Sequence, residues 1–100
     1  MGKGTPHCKL PVVKAMVERG EVRATASAFA GARALGINNL SGLCEVVVSL
    51  TVANFHKSMT THADHRIWQD VYRVRTTGGA EICLKLTVID DVLIVSFKEL

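Results

Sequence analysis

The chain has 100 residues, which is enough for one domain and too few for two sizeable hydrophobic cores. Apolar residues make up 48% of it, and the net charge of +3 permits an anionic partner such as RNA without requiring one. The three cysteines lie far apart without a C-x-x-C motif, which argues against a disulfide framework and favours a reducing compartment. The start lacks the apolar segment of a signal peptide, and the apolar run near "VLIV" is too short to span a bilayer. We therefore expect one domain over residues 1–100, soluble, cytoplasmic and not associated with a membrane.

The first helix is predicted over residues 9–19. Its apolar side chains recur at helical spacing, and Pro11 suits the first turn because its missing N–H costs nothing there. Gly20 is the expected end of this helix. A short extended segment follows at 21–25.

A second helix is predicted over "AFAGARAL", with Ser27 as its cap and Gly36 at its end. The next segment, "LSGLCEVVVSL" at 40–50, has two interpretations. Three consecutive valines favour a strand, whereas its leucines and valines also form one helical stripe that Ser41 can cap. We favour the helix.

The second half of the chain changes to the alternating pattern of β-strands. Strands are predicted over 55–60, 67–75, 80–89 and 92–99, with "TTGG" and "DD" as turns. Helices followed by an antiparallel meander predict an α+β domain in which the helices cover one face of the sheet.

The last hairpin is regular enough for its register to be predicted. If Asp90 and Asp91 form a two-residue loop, Ile89 faces Val92. The core-face pairs are then Leu84 with Phe97, Leu86 with Val95, and Val88 with Leu93. The pairs on the second face are Cys83 with Lys98, and Lys85 with Ser96. A slip of one residue would bury Lys98, which supports this register.

The face on which Gln69 lies depends on the turn after the strand 67–75. A simple four-residue loop at "TTGG" places Gln69 on the core face. A glycine bulge near Gly78 and Gly79 moves it to the polar face. The sequence by itself leaves both arrangements open.

A metal site is one candidate chemistry for the polar stretch 54–73. His56, His62 and His65 are three imidazoles that can hold Zn²⁺ with an open fourth position. Two of them fall in a predicted loop, and no H-E-x-x-H motif or carboxylate pair supports them. Histidines on a solvated loop, or lining a polar site, are the favoured interpretation, so no metal or other cofactor is expected.

Thiol catalysis is a second candidate. Cys83 would need a neighbouring histidine and a group that lowers the pKa of its thiol, and Lys98 opposite it is such a group. A free cysteine in a strand is more commonly a small apolar residue, and that interpretation is favoured here.

Cleavage of RNA without a metal is a third candidate. It needs a base for the 2′-hydroxyl proton, cations for the charge that develops on the phosphate, and an acid for the leaving 5′ oxygen. Suitable polar groups are the histidines, Lys57, Arg73, Lys85 and Lys98, and Trp68 and Tyr72 offer stacking surfaces. An ordinary sheet face with scattered charges explains the same residues. The residues alone therefore indicate only an α+β domain with a basic sheet face.

Three stretches nevertheless resemble a known family. They are "TPH" at 5–7, "FHKSMTTHADHRIWQDVYR" at 55–73 and "VLIVSFKE" at 92–99. Together, in this order and spacing, they resemble the MqsR toxins of bacterial toxin–antitoxin pairs, and the resemblance covers essentially the whole chain.

The resemblance implies a RelE-like ribonuclease fold and a toxin that cleaves mRNA without the ribosome, at sites built on GC, often GCU. It implies growth arrest as the outcome. It also implies a cognate antitoxin, MqsA, which binds zinc through its N-terminal part and DNA through its C-terminal part. Operator DNA would thus be contacted through the antitoxin, and zinc is expected in that partner.

The resemblance also implies a set of site residues. The family lysine of "F-x-KSMT" corresponds to Lys57, the glutamine of "WQD" to Gln69, and the lysine of "SFKE" to Lys98. The family tyrosine before "LK-TVI" is replaced by Cys83, and the aromatic residue before the "KSMT" lysine is replaced by His56.

The two replacements raise the question of how a proton would be transferred. A thiol is a weaker hydrogen-bonding group than a phenol, so the hypothesis is that His56 takes over part of that work. The alternatives are compensation by Tyr72 or Arg73, or a weaker enzyme. Tyr72, Arg73 and Lys85 are the candidate substrate-binding residues. The rival function is a catalytically weakened toxin homologue that mainly binds the antitoxin and regulates the operon.

Overall fold

The structure is a computed structural model that describes residues 2–61, 63–64, 66–76 and 78–100, and the backbone alone of Lys3. The predicted α+β class is confirmed. The helices are α1 (Leu10–Glu18), α2 (Ala26–Arg33) and α3 (Leu40–Ser49). The strands are β1 (Gly2–Lys3), β2 (Val22–Ala24), β3 (Phe55–Thr60), β4 (Trp68–Arg75), β5 (Glu81–Ile89) and β6 (Asp91–Glu99). In this part of the chain, no helix is both long and apolar enough to cross a membrane.

The first two helices begin and end at residues with recognisable cap chemistry. Pro11 lies in the first turn of α1, and the chain leaves that helix through Gly20, whose φ of 81° suits glycine. Helix α2 begins after Thr25, whose side-chain oxygen accepts from the Ala28 N–H at 3.1 Å. The predicted cap, Ser27, is wrong because it already lies inside the first helical turn.

The ambiguous segment 40–50 is helical, as predicted. Leu43 and Val47, one turn apart, are both fully buried, so the apolar stripe outweighed the strand propensity of the valines. Asn39 caps this helix by accepting from the Gly42 N–H at 2.9 Å. The predicted cap, Ser41, is wrong for the same reason as in α2.

The sheet is mixed, with the strand order β1-β3-β4-β5-β6-β2. Strands β3 to β6 form the predicted antiparallel meander. The extended segment that became β2 pairs in parallel with β6, and β1 pairs antiparallel with β3. Both edge strands are short, which limits the exposed hydrogen-bonding edge. Neither edge pairing was predicted, because segments of two or three residues carry no periodicity.

One face of the sheet packs against the helices and forms the core. Its fully buried side chains include Tyr72, Ile82, Leu84, Leu86 and Phe97. Helix α2 packs closely against β6: a Cβ added to Gly31 would be 1.7 Å from the backbone oxygen of Phe97. Only glycine therefore lets this helix approach β6 so closely.

The β5–β6 hairpin follows the predicted register over half its length. The predicted pairs that the structure contains are Leu84 with Phe97, Cys83 with Lys98, and Lys85 with Ser96. Beyond Lys85 the register shifts, and the pairs are Leu86 with Ile94, Val88 with Val92, and Ile89 with Asp91. The predicted two-residue loop is therefore wrong. Asp90, with a φ of 63°, makes a tighter connection, and a bulge at Val95 absorbs the difference.

The turn between β4 and β5 places Gln69 on the face away from the helices. The Thr76 N–H donates to Ala80 O at 2.8 Å, and the Gly79 N–H donates back to Thr76 O at 2.9 Å. Gly79 has a φ of 87°, as in hairpin loops that end in a glycine bulge. This agrees with the glycine bulge that the sequence left open; Thr77, within the turn, lies outside the described residues.

We predict that Gly31→Ala destabilises the protein by about 3 kcal/mol, because the added methyl group meets rigid backbone of β6. The matched control is Gly4→Ala, whose added Cβ has no atom within 4 Å. Urea unfolding followed by circular dichroism measures both variants. Equal stability of the two would contradict the close approach of α2 to the sheet.

Candidate active site

The sheet has a helix face and an open face, and side chains alternate between them along each strand. On β4, Asp70 and Tyr72 point to the helix face and are buried. Gln69, Val71 and Arg73 point to the open face. The open face is where the structure collects most of the predicted site residues.

Four cations lie on the open face, one on each of the four central strands. They are Lys57 on β3, Arg73 on β4, Lys85 on β5 and Lys98 on β6. We call these four residues the cation strip. Strands are about 4.8 Å apart, so the strip crosses about 14 Å of sheet from its first lysine to its last. Three of the predicted site lysines are thereby brought onto one surface.

The carboxylates that the structure describes leave the charges of the cation strip without ion pairs. Among the residues that the structure describes, none of the four takes part in a salt bridge. The acids at the margins of the open face, Glu81 and Asp91, are already paired with Arg75 and Arg23. The second of these pairs is bidentate, at 2.7 and 3.2 Å. The centre of the face is therefore a positive surface that attracts anions.

Cys83 lies between two of these cations. Arg73 pairs with Cys83 across β4 and β5, and Cys83 pairs with Lys98 across β5 and β6. The three residues form one row on the open face, and the thiol is partly exposed. The predicted neighbourhood of Cys83 and Lys98 is thus confirmed, while a role for the thiol in catalysis stays a prediction.

His56 is exposed at a bulge beside the same row. Phe55 pairs with Tyr72 and Lys57 pairs with Val71, so His56 is the extra residue on β3. Desolvation lowers the pKa of the His56 imidazole, and the positive charges of Arg73 and Lys57 lower this pKa further. A lowered pKa favours the neutral imidazole, which is the form that can accept a proton.

Gln69 lies beside the cation strip rather than in it. It pairs with Met59 on β3, two residues along the strand from Lys57. Val71, between Lys57 and Lys85 in register, is only 2% exposed although it is not part of the helix-side core. Val71 is therefore shielded from solvent although it points away from the helices.

Tyr72 was predicted to bind substrate, but the structure places it away from the open face. Its side chain is fully buried on the helix face, with its ring edge-on to Phe55 at 5.5 Å. Burial raises the pKa of Tyr72 to about 12, and the charges of Asp70 and Cys8 act in the same direction. Tyr72 and Arg73 are consecutive in a strand, so they cannot share a face. Tyr72 therefore does not lie beside Cys83, Arg73 and Lys98 on the open face.

Trp68 also lies on the helix face, away from the open face. Its ring stacks on the ring of His7, the last residue of the "TPH" stretch, with the ring centroids 5.5 Å apart. Sequence reasoning missed the group that fixes this stretch, the buried carboxylate of Asp70. It accepts the N–H groups of His7 at 2.9 Å and Cys8 at 3.1 Å.

Two members of the three-histidine set, His62 and His65, lie outside the described residues. Among the residues that are described, no three His, Cys, Asp or Glu side chains are placed to hold a metal ion. A cavity of about 660 Å³ lies between α3 and the β4–β5 turn. None of the candidate site residues lines it, so the open face is the better candidate for the chemistry.

Comparisons with known proteins identify the family of this chain. The family model described as motility quorum-sensing regulator, toxin of MqsA, matches residues 5–99. The mRNA interferase toxin MqsR of Escherichia coli strain K12 is 54% identical over 99 residues, which cover 99% of each chain. The chain therefore belongs to the MqsR toxin family.

Proposed function

We propose that this protein is the toxin of a type II toxin–antitoxin system and acts as an endoribonuclease on mRNA. The observation that carries the proposal is the cation strip, whose four side chains form no salt bridge within the described part of the chain. The strip lies on the sheet face that the helices leave open. Phosphate contacts supply most of the affinity of a protein for RNA, and they need such uncompensated cations. The relative named mRNA interferase supports the same activity.

In the proposed reaction the 2′-hydroxyl of a ribose attacks the adjacent phosphate. His56, whose pKa is lowered, takes the hydroxyl proton. Lys57 and Lys98 stabilise the charge that develops on the phosphate, with Arg73 and Lys85 binding the flanking backbone. The bond to the 5′ oxygen breaks, and that oxygen takes a proton from an ammonium group of the strip or from water. The products are a 2′,3′-cyclic phosphate and a 5′-hydroxyl.

The finer properties of the proposed function come from the family. We propose cleavage at GC-containing sites, GCU-like, without the ribosome and without a metal ion. The partner would be an MqsA-type antitoxin that carries the zinc and binds operator DNA, so this chain contacts DNA only through it. The toxin is expected to act in the cytoplasm and to arrest growth when its amount exceeds that of the antitoxin.

A second candidate is a non-enzymatic antitoxin-binding module. One observation favours it: a thiol stands at position 83, between Arg73 and Lys98, where the family has a tyrosine. An enzyme arrests growth on induction and loses this effect in Lys98→Ala, whereas a binding module arrests growth in neither form. Induction of the two genes without antitoxin therefore separates the candidates.

The metal-free mechanism predicts that purified protein cuts a GCU-containing transcript at the same rate with and without EDTA. The reason is that every charge in the proposed reaction comes from side chains of the open face. Gel analysis of cut products measures the rate. Loss of cutting in EDTA that an added divalent metal restores would contradict the mechanism.

The cation strip predicts that Lys57→Ala and Lys98→Ala each lower the cleavage rate roughly a hundredfold, since each removes a charge that stabilises the transition state. The matched control is Lys9→Ala, which removes an exposed lysine next to α1, on the helix side. Thermal unfolding of all three proteins checks that the fold is kept. If the control loses as much activity as the strip variants, general charge is responsible and the proposed site is wrong.

The role of His56 predicts an acidic limb in the pH dependence of kcat/KM, with its midpoint below the ordinary imidazole pKa of 6.5. Activity is lost as the pH falls through this midpoint, because protonation removes the base. Removing a nearby positive charge with Arg73→Gln moves the midpoint to higher pH, and His56→Ala lowers the rate roughly a hundredfold. NMR titration of the imidazole measures the same pKa directly. Full activity in His56→Ala would exclude this role.

A further inference from the structure

Next to the cation strip lies a row of uncharged side chains on the open face. Met59 pairs with Gln69 across β3 and β4, and Thr87 pairs with Leu93 across β5 and β6. The Thr87 hydroxyl donates to Trp68 O at 2.6 Å, which joins the two halves of the row. We call these four residues, Met59, Gln69, Thr87 and Leu93, the neutral row.

The neutral row runs parallel to the cation strip. Met59, Gln69 and Thr87 are each two residues along their strands from Lys57, Val71 and Lys85, a distance of about 7 Å. Leu93 is three residues from Ser96, the register partner of Lys85, because the bulge at Val95 lies between them. An RNA backbone that follows the strip across the strands therefore has the neutral row alongside it. A nucleotide with its phosphate on Lys57 or Lys85 can present its base to Gln69.

The chemistry of the neutral row suits a base and not a phosphate. It has no cation, and the nearest arginine, Arg23 beside Leu93, is held by Asp91. The Gln69 amide offers an acceptor and two donors, the groups that read a base edge. Met59 and Leu93 are partly exposed apolar side chains on either side, able to contact the planar face of a base.

The other side of the strip is less suitable. There the open face ends in the ion pair between Arg75 and Glu81, which occupies both polar side chains. Glu81 would also repel a phosphate backbone displaced in that direction. The charges on the open face therefore favour an RNA orientation in which the bases point toward the neutral row.

We infer that the neutral row is a base-recognition site, in which Gln69 reads the edge of a base next to the cut while Met59 and Leu93 hold it. The inference rests on the proposed function, since it takes RNA as the ligand. It makes Met59 and Leu93 specificity-determining residues rather than catalytic ones.

The test uses single-stranded RNA oligonucleotides in which each position around the mapped cut carries each of the four bases in turn. Cleavage rates and Kd values, the latter by fluorescence anisotropy, are measured for the wild type, Met59→Ala, Leu93→Ala and Gln69→Leu. Val12→Ala, which truncates an exposed apolar side chain on α1, is the matched control. At one position, the ratio between the best and worst base falls about tenfold in the three row variants and stays unchanged in the control.

A structural role of the row would lower all rates in parallel and leave the ratios unchanged, which would overturn the inference. A wild type that binds RNA with base preference but does not cut would refute the proposed endonuclease, and the Kd ratios of the variants would still decide on the neutral row. A wild type that binds no RNA would refute both.

Discussion

The alternation of side chains along β4 is the constraint on which the candidate site depends. The helices bury one face of this strand, which places Asp70 and Tyr72 in the interior and leaves Gln69 and Arg73 outside. A shift of one residue would exchange the two sets and bury a guanidinium without a partner, at a cost of several kcal/mol. The glycine at position 79 closes the following turn with the length that preserves this parity into β5. The geometry of the site is thus a consequence of core packing.

The pairing register of the four central strands keeps the charges of the cation strip apart. Lys57 and Lys85 are both opposite Val71, and Arg73 and Lys98 are both opposite Cys83, so no cation directly faces another across adjacent strands. Like charges that face each other directly are destabilising in a sheet. A zigzag of cations with neutral residues between them reduces this repulsion while the face remains positive. A polyanion that lies across the strands can therefore contact all four charges.

Much of the fold could be predicted from the sequence, because long amphipathic segments carry a clear period. The segment 40–50 is helical as its stripe of leucines and valines indicated, and the pair of Cys83 with Lys98 followed from the hairpin pattern. The far end of that hairpin could not be predicted. The predicted register and the shifted one both bury alternating apolar residues. Because of the bulge at Val95, the hairpin has the predicted register near the C-terminus and the shifted register near the turn.

The candidate site was predicted less completely than the fold, for reasons that individual residues make clear. Tyr72 was assigned to substrate because it is polar and aromatic. Successive side chains of a strand point to opposite faces of the sheet, so Tyr72 and Arg73 could not both lie on the substrate face. The anchoring role of Asp70 joins residues about sixty positions apart, and no local pattern encodes such a contact. The edge strands are fixed by pairing partners and have no periodic signal of their own.

Arg73 connects the two positions at which this chain departs from the family pattern. It pairs with Cys83 on β5, and its charge lowers the pKa of His56 on β3. Under the proposed function, a phenol at position 83 would have stood between Arg73 and Lys98, where a short thiol now leaves room. Under the same proposal, the imidazole of His56 on the other side of Arg73, whose pKa is lowered, is the proton acceptor, one strand away. The two replacements are therefore neighbours of one guanidinium, and the proton-transfer group would have moved across it while the phosphate-binding cations stayed in place.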